Sequence, residues 1–265
     1  MLNWCSYCQE FQGEVPPFDR LAITHGVCDA CAEMALTMTD AGLEHARALQ
    51  HIQAVLSEAG HHHDLDAASL ALDEAMAAHI RAVDVLLGIV APMLYQIGED
   101  WRRAVVSVPE QHRFSAFCEE VFTLVESRVH ASADAKRAAA GPVTALLMNA
   151  PGNRHTLGIH VLGLWLMAKG LRSQVLDPPP PAEEIAALVQ DLQPRLLLIS
   201  MAMAEQTQGV RLIVERVRAL PGPVHTRIIA GGNAVKQNMV APIPGLELAA
   251  DIHALPELLA ASDAR

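Results

Sequence analysis

Two sets of residues in this chain have types and spacings that suit chemistry. The first is NRHTLG, residues 153–158, which follows the apolar run PVTALLMNA. Imidazole is a neutral metal ligand and a proton-transfer group near physiological pH, and here His155 lies between Asn153 and Gly158. The second set is Cys5, Cys8, Cys28 and Cys31, two CxxC pairs separated by 19 residues. Each pair offers two sulfurs from one turn, so four thiolates suit a closed tetrahedral zinc site that leaves no position open for catalysis. A redox-active or merely reduced thiol set is the alternative. His25, beside the second pair, reads as a packing residue that could replace one sulfur, and Cys118 as a core thiol. There is no obvious Ser/His/Asp nucleophile signature, and no catalytic residue is assigned.

The elements that must position these residues fall into distinct stretches. At 265 residues the chain exceeds one ordinary domain. Residues 1–33 form a cysteine-rich, zinc-pinned cap. Residues 34–133 read as a four-helix bundle: a helix stopping at Gly60, a second capped by Asp64 or Asp66, a third kinked at Pro92, and a fourth started by Ser107, Pro109 and Glu110. HHH at 61–63 reads as a solvated loop. Residues 134–141 are a linker. From 142 to 265 the period changes, with short apolar strands VTALLMNA, SQVLD, PRLLLIS and TRIIAGG alternating with helices over 157–170, 182–192 and 207–220. That alternation implies a doubly wound parallel α/β sheet of the flavodoxin or Rossmann type. Ligands of such sheets sit at the carboxyl ends of the strands, where NRHTLG, SMAM (200–203) and GGN (231–233) should meet.

Composition narrows the function classes. A net charge of −11 argues against a direct grip on nucleic acid, which draws its affinity from neutralised phosphates. Arg20 is the one Lys or Arg in the first 33 residues, which makes a DNA-reading finger improbable. The apolar stretch IHVLGLWLMA (159–168) is about half of the roughly 20 residues a membrane helix needs. The start of the chain lacks a signal-peptide pattern, so a cytoplasmic protein with no membrane contact is expected.

NxHxxG, 41 residues, Ser200, 30 residues, then Gly231-Gly232 resembles the cobalamin-binding signature Asp-x-His-x-x-Gly, Ser-x-Leu, Gly-Gly. The resemblance implies His155 as lower axial ligand to cobalt, with Asn153, Leu157 and Gly158 around it. It implies a slot for the cofactor's nucleotide tail lined by Ser200, Ala202, Gly231 and Gly232, where missing side chains let backbone approach the ligand; ordinary turn chemistry is the alternative for the glycines. DPPPP (177–181) occupies the place of a Pro-containing turn common in that family. Asn153 replaces the usual Asp and Ala202 the usual Leu, so the imidazole lacks a carboxylate behind it.

Ahead of the sheet, PMLYQIGEDWRRAVVSVPEQHRFSA resembles the helical cap of cobalamin-dependent photoreceptors of the CarH type and the caps of methyl-carrying corrinoid proteins, so the likeness spans roughly residues 35–262. Trp101, nine residues, then Gln111-His112 stands where photoreceptors carry Trp and Glu-His. The resemblance implies that Trp101, Val108, Gln111 and His112 cover the upper face, that adenosylcobalamin or methylcobalamin is the cofactor, and that His112 replaces an upper ligand lost to light, since Arg102 follows the Trp where some photoreceptors have His. A core role is the alternative for Trp101. The photoreceptors' DNA-binding domain has no counterpart in the sequence. The expected function is a light-sensing regulator acting on a protein partner such as a transcription regulator, with homo-oligomers possible; the alternatives are a corrinoid methyl carrier for a methyltransferase system, or a haem-binding sensor.

Overall fold

A computed structural model of the protein describes residues 1–5, 8–17, 20–28, 31, 40–250 and 252. The chain divides into two compact units, Met1–His130 and Ala131–Arg265.

In the first unit, strands β1 (Leu2–Cys5), β2 (Phe11–Glu14) and β3 (Ile23–Gly26) form a small sheet in the order β2-β1-β3, antiparallel and then parallel. Strands this short do not stand alone in water, and this sheet leans on helices. Trp4 and Phe11 are buried, with ring centroids 5.3 Å apart. Both rings sit on Gly88, where a Cβ would lie 2.4 Å from Trp4 and 2.7 Å from Phe11. Arg81 ties Glu10 (2.8 Å) to the buried Asp84 (2.7 Å), and Gln53 Nε2 donates to Leu21 O at 2.9 Å. Gly88→Ala therefore overpacks this seat. We expect it to destabilise the first unit by about 1–3 kcal/mol, read as a lower urea midpoint together with a shift in tryptophan emission.

Among the described residues four helices follow: α1 (Asp40–His62), α2 (Leu65–Ala77), α3 (Ala82–Arg102) and α4 (Val108–His130). Their apolar residues recur at three and four, as in Phe114, Phe117, Cys118, Val121 and Val125 on α4, and all of these are buried. Burial pushes the Cys118 thiol up to about 12, consistent with a core role. Asp64 caps α2 by accepting from Ala67 N at 2.9 Å. Ser107 and Glu110 cap α4 reciprocally: Ser107 N and Oγ donate to Glu110 Oε2 at 2.8 and 2.6 Å. Those bonds hold the Glu110 carboxyl below its usual range.

Several expectations for this region need correction. Helix α1 does not stop at Gly60. It runs through to His62, because Gly60 is small for packing: a Cβ there would lie 2.5 Å from the Phe114 ring. His61 and His62 thus end a helix, and His63 turns the chain at φ 56° while bonding Glu120 at 3.0 Å. At Pro92, where a kink is expected, the helical hydrogen bonding is irregular: a π-turn over Leu86–Val90 leads into the proline. Proline lacks the N–H that would have bonded the carbonyl of Gly88. By length and composition α3 could cross a membrane, but 61% of its apolar window is buried within the protein, as in a core helix.

The second unit opens with α5 (Ala133–Ala140), over the stretch expected as a linker; Ser132 caps it through Ala135 N at 3.1 Å. Then come β4 (Val143–Asn149), α6 (Leu157–Ala168), β5 (Arg172–Leu176), α7 (Ala182–Leu192), β6 (Leu196–Ser200), α8 (Thr207–Arg218), β7 (Arg227–Gly231), α9 (Asn233–Lys236) and β8 (Leu246–Leu248). All five strands are parallel, in the order β5-β4-β6-β7-β8. This is the expected doubly wound α/β fold. Residues 145–149 of β4 are all buried, as a strand covered on both faces requires. Strand β8 was not expected; the Arg227–Glu247 ion pair at 2.5 Å secures it to β7.

Candidate functional site

Strand order reverses between β4 and β6, and the loops leaving the two strands diverge there. This is the switch point at which ligands of open α/β sheets bind. Asn149 at the end of β4 lies in register with Ser200 at the end of β6. Asn153 joins the two ends. Its Nδ2 donates to Asn149 Oδ1 and to Ser200 O, both at 3.1 Å, while its Oδ1 accepts the backbone N–H of His155 at 3.0 Å. The amide thus fixes the loop that carries His155, whose side chain is exposed.

This arrangement accounts for Asn in place of Asp. Position 153 meets two acceptors and one donor, a demand that an amide meets and a carboxylate does not. Asn153→Asp sets a carboxylate oxygen against Ser200 O and Asn149 Oδ1. We expect a loss of about 1–3 kcal/mol near pH 7. The loss is relieved near pH 4, where a protonated carboxyl, its pKa raised by those oxygens, donates again; urea denaturation at the two pH values reads both effects.

The three signature glycines play different parts. Gly232, at φ 94°, has its missing Cβ 2.6 Å from Met201 O, and Gly231 faces Ala249 O at 3.0 Å. Both are demanded by the protein's own backbone, so turn packing explains them before any ligand does. Gly158, in the first turn of α6, faces open space. Ala202 is partly buried, and its N–H donates to Gln206 Oε1 at 2.8 Å. Leu157 is partly buried at the start of α6.

Sequence reasoning missed three features of this edge. Gln206 holds the loop after Ser200 through the N–H groups of Ala202 and Met203, yet its own Nε2 is buried without a partner. Asn149 Nδ2 is orphaned in the same way. His160, one turn into α6, pairs with Asp177 at 3.5 Å, which ties the DPPPP turn to α6. Amides belong to no motif, and an Asn closing an apolar strand was the only available sign.

On the helical unit, Trp101 is 47% exposed and Val108 47%, so Trp101 is not a core residue. His112 is exposed, and Gln111 Nε2 donates to Ser115 Oγ at 2.8 Å. With Val105, 71% exposed, these residues leave an apolar surface where α3 passes into α4.

The sulfurs of Cys5, Cys8, Cys28 and Cys31 all lie within 4.8 Å of one another, and Cys8 and Cys28 are 3.7 Å apart. That separation is far beyond a disulfide bond. It equals the edge of a tetrahedron with metal–sulfur distances of about 2.3 Å. The cluster is a site that could hold a metal ion. His25 is not part of it: its ring nitrogens are buried without partners, and burial lowers its pKa.

Residues 52–126 match the family described as B12 binding domain. The match lies wholly within the helical unit and takes in Trp101, Val108, Gln111 and His112, which supports cobalamin binding from a part of the chain separate from the His155 loop. No curated protein matches the chain. Among solved structures, the monomethylamine corrinoid protein of Methanosarcina barkeri superposes with a TM-score of 0.60 at 17% identity, over 80% of this chain and 97% of that one. The methanol:cobalamin methyltransferase complex MtaBC from Methanosarcina barkeri gives 0.41 at 18% identity, over 89% and 92%. A cobalamin-binding protein from Desulfitobacterium hafniense DCB-2 gives 0.40 at 15%, over 80% and 98%. The first shares this fold.

Proposed function

We propose that this chain is a cobalamin-binding protein without chemistry of its own, in which His155 is the lower cobalt ligand. The observation that carries the reading is the His155 loop at the β4/β6 switch point, fixed by Asn153, in a chain whose helical unit matches a B12 binding domain. The residues fit the group: an exposed imidazole, open space at Gly158, and buried amide donors beside it. Bound cobalt supplies an exchangeable upper bond, and the protein's part is to hold and present it. Incubation with hydroxocobalamin followed by gel filtration should give a coloured protein with about one cobalt per chain; a colourless protein, or one that takes up iron as haem instead, defeats the reading.

Two uses of the upper face are supported by different observations. Carriage of a methyl group between partner proteins is supported by the fold shared with a monomethylamine corrinoid protein. It also suits the exposed apolar surface of Trp101, Val105 and Val108, which a partner enzyme would cover. Light sensing with adenosylcobalamin, acting through a regulatory partner, is supported by the position of His112 eleven residues after Trp101. Green light on the adenosylcobalamin-loaded protein separates them. A sensor changes its elution volume together with its spectrum, whereas a carrier shows photolysed cofactor at an unchanged elution volume. The four-cysteine site is proposed to hold structural zinc.

A further inference from the structure

We propose that Asn149 and Gln206 select the cofactor by its nucleotide tail, each giving a buried amide N–H to an uncharged acceptor on that tail. This deepens the cobalamin reading and rests on it. Asn149 is 0% exposed and Gln206 6%, and in each the amide nitrogen has no partner. Neither orphan is a matter of which way the amide was placed. Gln206 Oε1 accepts from Ala202 N and Met203 N, at 2.8 and 3.1 Å, so a flip would set donor against donor twice. Asn149 Oδ1 accepts from Asn153 Nδ2, and the orientation of Asn153 is itself set by the His155 N–H on one side and the Ser200 carbonyl on the other.

Buried donors without acceptors are rare because each forfeits its hydration. Here two occur at one sheet edge. One ends β4 and the other holds the loop leaving β6, the two strands whose divergence makes the ligand crevice. The contacts of both amides are with uncharged groups, so a ring nitrogen, hydroxyl or carbonyl suits them better than a phosphate, which draws charged donors.

Asn149→Asp and Gln206→Glu test this, since each keeps the oxygen that serves the loop and turns the orphan donor into an acceptor. Cobalamin and cobinamide, which lacks the nucleotide tail, are titrated against wild type and both variants by absorbance. The expected result is that each variant binds cobalamin about tenfold more weakly or worse, while cobinamide affinity stays within about twofold. Equal losses for both ligands, or an unchanged preference for cobalamin, overturn the assignment. A readout independent of variants is the side-chain amide resonances of Asn149 and Gln206 in the wild type. They should shift and gain exchange protection with cobalamin but not cobinamide; amides unmoved by cobalamin overturn the proposal even if the variants do not fold. A wild type that binds both corrinoids equally overturns this inference alone, and one that binds neither overturns the cobalamin reading with it.

Discussion

Chelation of the metal, or Cys28→Ser, should unfold the amino-terminal sheet outright rather than soften it. The sheet has three strands of four residues and only Leu2, Trp4, Cys5 and Phe11 as buried apolar residues on them. Cys5 and Cys8 lie at the end of the β1 side, Cys28 and Cys31 beyond β3, so one ion held by all four would close both ends of the module. Structural zinc in small modules supplies roughly 10–16 kcal/mol of apparent binding free energy. A whole domain is typically stable by only about 5–15 kcal/mol. The balance leaves the apo module without a stable fold. Once it is lost, Trp4 and Phe11 leave Gly88 and the π-turn of α3 is exposed, so the helical unit should also melt earlier. The measurements are metal content, expected at about one zinc per chain, and tryptophan emission, which should move to the red as Trp4 meets water. Cys118→Ser should leave zinc content unchanged, because that thiol lies on α4 and outside the cluster. Protein that contains no zinc when prepared with zinc present, and melts alike with and without chelator, refutes the assignment.

The parts of the fold that were legible in the sequence are those in which one local signal decides the outcome. Four strands and three helices of the second unit follow from buried apolar runs alternating with amphipathic stretches, because β4 and β6, covered on both faces, can be apolar throughout. Capping of α2 by Asp64 and of α4 by Ser107 was legible because a cap is decided within four residues. Gly60 misled because a glycine stop and a glycine under a distant aromatic look alike along the chain, and Phe114 lies 54 residues away. Strand β8, at three residues, is too short to show a period, and its pairing is fixed by Glu247 meeting Arg227 across the sheet. Within the site, His155 stood out by its neighbours, whereas Asn149 and Gln206 matter only through burial and the direction of an amide, which no spacing encodes.

His155→Ala should abolish protein ligation of cobalt while leaving the apoprotein folded. The two halves of this prediction rest on different atoms. The ring is exposed, so its removal leaves no cavity, and the bond that fixes the loop runs from the His155 backbone N–H to Asn153 and survives the substitution. Stability should therefore stay within about 0.5 kcal/mol of wild type. Cofactor retention should fall by at least about tenfold, the lower end of what even outer-shell changes cost at metal sites. Loss of affinity alone does not identify the ligand, because the cofactor's own base is a second nitrogen donor to cobalt. Uniform nitrogen-15 labelling of the protein resolves this. With the cofactor reduced to paramagnetic cobalt(II), a protein imidazole splits each cobalt line into a doublet, whereas the unlabelled base of the cofactor splits it into a triplet. Wild type should give doublets and His155→Ala triplets. Triplets from the wild type would mean that the base stays on cobalt and His155 only lines the loop. The carrier and sensor readings would then lose the imidazole on which both depend, and the corrinoid would be held by its other contacts alone.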